Sequence, residues 1–143
     1  MYKNFTLAEL TASSVARSKG IDNTPPAEAI AHLGELVGAI LQPLRDAWGR
    51  PIKVTSGYRC PNLNKAVGGV ANSAHQYGYA VDVQPQSMAD FGEFVNFITA
   101  WVQGQGIKFD QIIIEKSSTS RWVHIGVRDK DGRQRMQLFG MAV

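Results

Sequence analysis

Gly49-Arg50-Pro51-Ile52-Lys53-Val54-Thr55-Ser56-Gly57-Tyr58 is the stretch at which the chain stops reading as helix and begins to read as strand. Before it, Ile30, Leu33, Val37, Ile40, Leu41 and Leu44 recur at three- and four-residue steps, one buried stripe on an amphipathic helix. After it come short strand-like runs: Ile52 to Tyr58, Tyr79 to Val83, Phe109 to Glu115, Trp122 to Val127 and Gln134 to Phe139. One apolar-periodic segment interrupts them, Ser87 to Gln103, with Phe91, Phe94, Val95, Ile98 and Val102 on one face. Helices first, then strands with a helix inserted, predict an α+β fold: a mainly antiparallel sheet of about five strands, two N-terminal helices and one inserted helix.

Further upstream, Thr6 and Glu9 have the spacing of a reciprocal capping box, which predicts a first helix running to Arg17. Gly20 and Asp22-Asn-Thr-Pro-Pro26 break it, and Pro25 or Pro26 suits the first turn of a second helix capped by Thr24 or Asn23. Pro43 is expected to bend or restart that helix near Leu41.

With 143 residues, 44% hydrophobic and 19% charged, residues 1–143 fit one ordinary domain, and collagen-like, disordered and disulfide-scaffold classes are excluded. No apolar run approaches the roughly 18 residues a membrane span needs, so no membrane insertion is expected. Met1-Tyr-Lys-Asn-Phe-Thr6 lacks the apolar stretch of a secretory signal, so synthesis in the cytoplasm without a signal peptide is expected. A net charge of +3 mildly favours anionic partners. The basic residues are dispersed, without the Lys/Arg stripe and exposed aromatics of a nucleic-acid-binding module, so no nucleic acid partner is expected. Arg128 to Arg135 also contains Asp129 and Asp131 and reads as a solvated loop. The single cysteine, Cys60, excludes an internal disulfide and reads as a small packed thiol; a metal here needs His and carboxylate ligands. A monomer is expected.

The chemistry gathers in Ser73-Ala-His75-Gln-Tyr-Gly78-Tyr-Ala80-Val-Asp82. A loop histidine, a turn glycine and an aspartate entering a strand can bring imidazole and carboxylate to one point. A third candidate ligand lies in Trp122-Val-His124-Ile-Gly126, where alternation sets Trp122, His124 and Gly126 on one strand face. Taken alone, His124 also fits a hydrogen-bonded buried histidine and Asp82 a strand-end carboxylate. Together, two His and one Asp supply three ligands and leave a fourth zinc position for water, the open arrangement of catalytic zinc.

Ser73-x-His75-x-x-Gly78-x-Ala80-x-Asp82 followed by Trp122-Val-His124 resembles the signature of the zinc D-alanyl-D-alanine carboxypeptidase-like peptidases. That family includes D-Ala-D-Ala dipeptidases and phage L-alanyl-D-glutamate endopeptidases. Ser56-Gly-Tyr-Arg59 and Val67-Gly-Gly69 also match its patterns, so the resemblance covers Ile52 to Val127. It implies that His75, Asp82 and His124 hold zinc and that Arg59 faces the substrate. The dipeptidases carry Glu-x-x-His at the last ligand, the Glu being the general base, whereas here that position is Arg121.

Small phage-type members place an acidic residue on the preceding strand, which makes Glu115 the candidate base. A hairpin pairing Glu115 with Trp122 sets Glu115 and His124 diagonally on one face, whereas a one-residue slip separates them. Asp110 is the reserve. Ser73 and Tyr77 are candidate substrate contacts or supports of the ligands, Trp122 is core or groove wall, and His32 reads as a surface residue.

The resemblance implies a zinc metallopeptidase that hydrolyses an amide bond in peptidoglycan stem peptides, of D-Ala-D-Ala carboxypeptidase or L-Ala-D-Glu endopeptidase type. A basic chain without a signal segment then fits a phage or prophage lysin, acting on the wall after release or as part of a virion. The alternative is a catalytically silent zinc module on the same fold that only holds the wall.

Overall fold

The computed structural model describes residues 2–129 and the backbone of 135–137. The capping box forms: Thr6 Oγ1 accepts from the Glu9 amide, and Glu9 accepts from the Thr6 amide. The helix it starts, α1 (Leu7–Thr11), is short, and α2 (Ser14–Lys19) follows as a separate element. This corrects the single helix expected to Arg17. The Ser13 hydroxyl accepts from the Ala16 amide, so a second N-cap interrupts the run, and Gly20 ends it in the left-handed region at φ 65°.

Helix α3 (Ala27–Leu36) begins after Pro26 without a side-chain cap, so neither Thr24 nor Asn23 plays the expected role. Thr24 instead bonds Asp22, while the Asn23 amide donates to the carbonyls of Thr11 and Tyr58 and accepts from the Cys60 amide, tying three loops together. The break expected near Leu41 is there. A π turn over Val37–Leu41 carries α3 into α4 (Gln42–Trp48), where Pro43 sits in the first turn and its missing N–H costs little.

Strand β1 (Ile52–Ser56) is followed by α5 (Pro61–Ala66), a helix beyond the three expected. Pro61 at its first position was its sequence signal. Cys60 is half-buried at its N-terminus, and its sulfur accepts from the Leu63 amide. Then come β2 (Ala80–Pro85), α6 (Phe91–Gln105), β3 (Gln111–Lys116), β4 (Arg121–Gly126) and β5 (Arg135–Gln137).

The sheet runs β1-β2-β4-β3-β5. Its first four strands are antiparallel and β5 pairs parallel with β3, so the sheet is mainly antiparallel as expected. Residues 134, 138 and 139 of the strand expected over Gln134 to Phe139 lie outside the described residues.

Alternation gives the sheet two different faces. Val81, Val83, Ile112, Ile114, Val123 and Ile125 join Leu33, Ile40, Leu44, Phe94 and Ile98 of the helices in one buried core. Burial of each such side chain contributes about 1.5 to 3 kcal/mol. Asp82, Ile113, Glu115, Trp122 and His124 therefore project from the other face, which carries the site. No helix among the described residues is long and apolar enough to cross a membrane.

Candidate functional site

Asp82 stands directly opposite His124 in the β2–β4 ladder, so register alone makes them neighbours on the open face. His75 reaches them from a short 3-10 turn, Ala74–Tyr77. The Ser73 hydroxyl opens that turn by accepting from the His75 amide, and Gly78 closes it at φ 76°. A side chain at Gly78 would also strike the Ala29 carbonyl, at 2.3 Å from its Cβ. Asp82 Oδ1 lies 3.3 Å from His75 Nε2 and 3.1 Å from His124 Nδ1, and the three donor atoms fall within 4.8 Å of one another.

These donors fit a metal of borderline softness. Two imidazole nitrogens and one carboxylate oxygen are a zinc-type set, and all three residues are buried. The orientation of His75 is fixed from behind: Nδ1 lies 2.7 Å from the Gly57 carbonyl and donates to it, which aims Nε2 at Asp82. Burial alone would push the Asp82 carboxyl up. The charge of His75 and hydrogen bonds from both imidazoles outweigh it and hold the carboxyl well below the usual range. Burial lowers His124, but its hydrogen bond to Asp82 and the charges of Asp82 and Glu115 raise it on balance.

Glu115 pairs with Trp122 across the β3–β4 ladder, the register the hairpin reading expects, and both line the cleft with the three donors. Trp122 Nε1 donates to Glu115 Oε1 at 2.9 Å, so the indole is wall and carboxylate support together. Arg59 is half-buried on the same cleft, with Nη2 near Ser73 Oγ at 3.4 Å; its Nε is buried without a partner among the described residues. Burial lowers its pKa, opposed by Asp82 and Glu115. Asp110 is buried just before β3 and is not among the residues that line the cleft.

Tyr77 lies apart from the donors, with its hydroxyl on Asn72 Oδ1 and its carbonyl accepting from His32 Nδ1. His32 lies at the surface as expected, half-buried by stacking on Tyr79 with centroids 3.9 Å apart.

The Peptidase M15 family model matches residues 3–126, from before α1 to the end of β4. The chain belongs to this family. Over 81 residues, 56% of the chain, it is also 40% identical to the zinc D-Ala-D-Ala carboxypeptidase of Streptomyces albus G. That match spans 31% of the relative's length.

Two residues of this family member that frame the site escaped the sequence reading. Arg128, expected in a solvated loop, donates to the Asn72 and Ser73 carbonyls and so pins the segment that leads into His75. Gly57 supplies the carbonyl behind His75, and a Cβ there would sit 2.1 Å from the Leu10 carbonyl oxygen, which also accepts from the Tyr58 amide. Gly57→Ala is expected to lower stability by about 1 to 3 kcal/mol, the usual range for overpacking, and to weaken zinc binding as the His75 carbonyl partner shifts. Thermal melting and zinc titration of the variant check this, and an unchanged zinc affinity would remove Gly57 from the site.

Proposed function

We propose that the protein is a zinc-dependent peptidase that hydrolyses an amide bond in peptidoglycan stem peptides. The observation that carries this reading is the buried His75, Asp82 and His124 cluster at a cleft whose wall also bears Glu115. The name of the Streptomyces relative supports both the metal and the wall peptide. A net charge of +3 favours approach to an anionic wall.

The chemistry zinc supplies in such a site is Lewis acidity toward the carbonyl and a water that ionises near neutral pH. One water is consumed: its oxygen bonds to the carbonyl carbon, the C–N bond breaks, and the leaving nitrogen gains a hydrogen. Glu115 takes the water's proton and returns it to that nitrogen, while the Trp122 N–H holds one carboxylate oxygen in place. Arg59 offers positive charge where the carbonyl oxygen becomes negative. Arg59→Ala is expected to keep zinc content while cutting turnover about 100- to 1,000-fold, the range for a lost oxyanion donor. Arg59→Lys should restore only part of it, for want of the planar fork. Wild-type turnover in Arg59→Ala would return Arg59 to a structural role.

A silent wall-holding module is the rival reading, motivated by Arg121 in place of a base. Arg121 lies over the Phe91 ring, at 4.8 Å, on the core side of β4, so its position takes no acid away from the cleft. Purified walls treated with the protein, with chelator, and with chelator followed by zinc decide between them. Release of new amino termini that stops with chelator and returns with zinc is expected. No release by protein carrying one zinc per chain would establish the silent module.

A further inference from the structure

Two clefts, not one, open on Asp82. The larger, about 720 Å³, holds the donor cluster, Glu115 and Arg128. The smaller, about 480 Å³, is walled by the α1–α2 junction from Ala12 to Val15, by Thr55 and Ser56, and by Gln84 and Ser120. Arg59, Val67, Asp82 and Trp122 line both, so the clefts meet at the reacting centre. Among the described residues, the smaller arm has no charged side chain of its own beyond the shared Arg59 and Asp82. Its lining is neutral and mixed: Val15, Leu63 and Val67 beside the hydroxyls of Ser14 and Ser56, while the Gln84 amide is already engaged by Ser120 and the Arg121 carbonyl.

We infer that the substrate chain crosses the centre and fills both arms, so that the bond cut is internal and an uncharged flank lies between Ala12–Val15 and Ser120. This rests on the peptidase reading above. Removal of one terminal residue would place a free carboxylate in the cleft, and a desolvated carboxylate needs a cation to hold it. Here Arg59 stands where the arms meet, and a chain end held there leaves one arm empty. The other guanidinium among the described residues of the clefts, Arg128, already donates from both terminal nitrogens to the Asn72 and Ser73 carbonyls. Each arm also lies within the size range of about 300 to 1,000 Å³ that whole ligands occupy, well beyond a single alanine.

The test uses the zinc-loaded protein and a synthetic stem pentapeptide ending in D-Ala-D-Ala, as the free acid and as the C-terminal amide, with products read by mass spectrometry. Both forms should be cut at the same internal bond. Ser14→Trp fills the smaller arm from an exposed position that does not cap α2, since Ser13 does so. It should slow cleavage of both forms about tenfold with zinc content unchanged, as lost flank binding lowers turnover. Release of terminal D-Ala from the free acid alone, or wild-type cleavage by Ser14→Trp, overturns the inference and leaves the peptidase reading standing. No product from either peptide or from walls overturns that reading and this inference with it.

Discussion

Glu115→Gln is expected to lower turnover by about 100- to 10,000-fold, the range of general-base assistance, while one zinc per chain remains bound. The substitution isolates proton transfer. Glutamine keeps the size of glutamate, and its amide oxygen still accepts from Trp122 Nε1, so the wall of the cleft is preserved. Asp110→Asn, made at a buried residue that does not line the cleft, should change turnover far less. Zinc analysis with steady-state rates on one preparation separates the two effects. Full activity in Glu115→Gln would remove Glu115 from the chemistry.

His124→Ala should abolish both zinc binding and activity, the largest loss of any single change proposed. It removes one of three donors and also leaves the buried Asp82 short of a hydrogen bond, so the metal-free protein should melt earlier as well. The wild-type protein gains from the metal: at free zinc a thousand times Kd, stabilisation is about 4 kcal/mol. Chelation should lower Tm accordingly. Zinc affinity should fall as pH drops, because ligation needs a neutral imidazole. Burial favours that neutral form in His124, but the Asp82 hydrogen bond and charge outweigh it and retain the proton. Calorimetric zinc titration across pH, with proton release measured, checks the sign. Zinc binding by His124→Ala as tight as wild type would exclude His124 as a ligand.

What was legible in the sequence was whatever alternation and fixed spacing dictate. The two-residue period of β4 placed Trp122 and His124 on one face, and hairpin geometry placed Glu115 beside them. The Ser73 to Asp82 spacing, read with Gly78, brought a turn histidine to a strand carboxylate. What escaped depended on groups without a one-dimensional signature. The backbone carbonyl of Gly57 orients His75, and a backbone atom leaves no trace in residue type. Arg128 looks like any loop arginine until its carbonyl partners are known. The split between α1 and α2 turned on Ser13, a second cap inside an apparently continuous helical run.

The strand order has a consequence for how the chain acquires its shape. Strand β4 lies between β2 and β3 although it follows both in the chain, so the sheet's middle is filled after its flanks exist. During synthesis the ladder edge of β2 stays open until residues 121–126 emerge, a period in which that edge can pair with another nascent chain. The same late insertion brings the last of the three candidate donors to Asp82, so zinc held by them would find no complete cage before β2 and β4 pair and would consolidate that pairing afterwards. Long-range pairing of this kind is slow. Supplying zinc during refolding should therefore raise the final yield of folded protein more than the rate at which it first collapses.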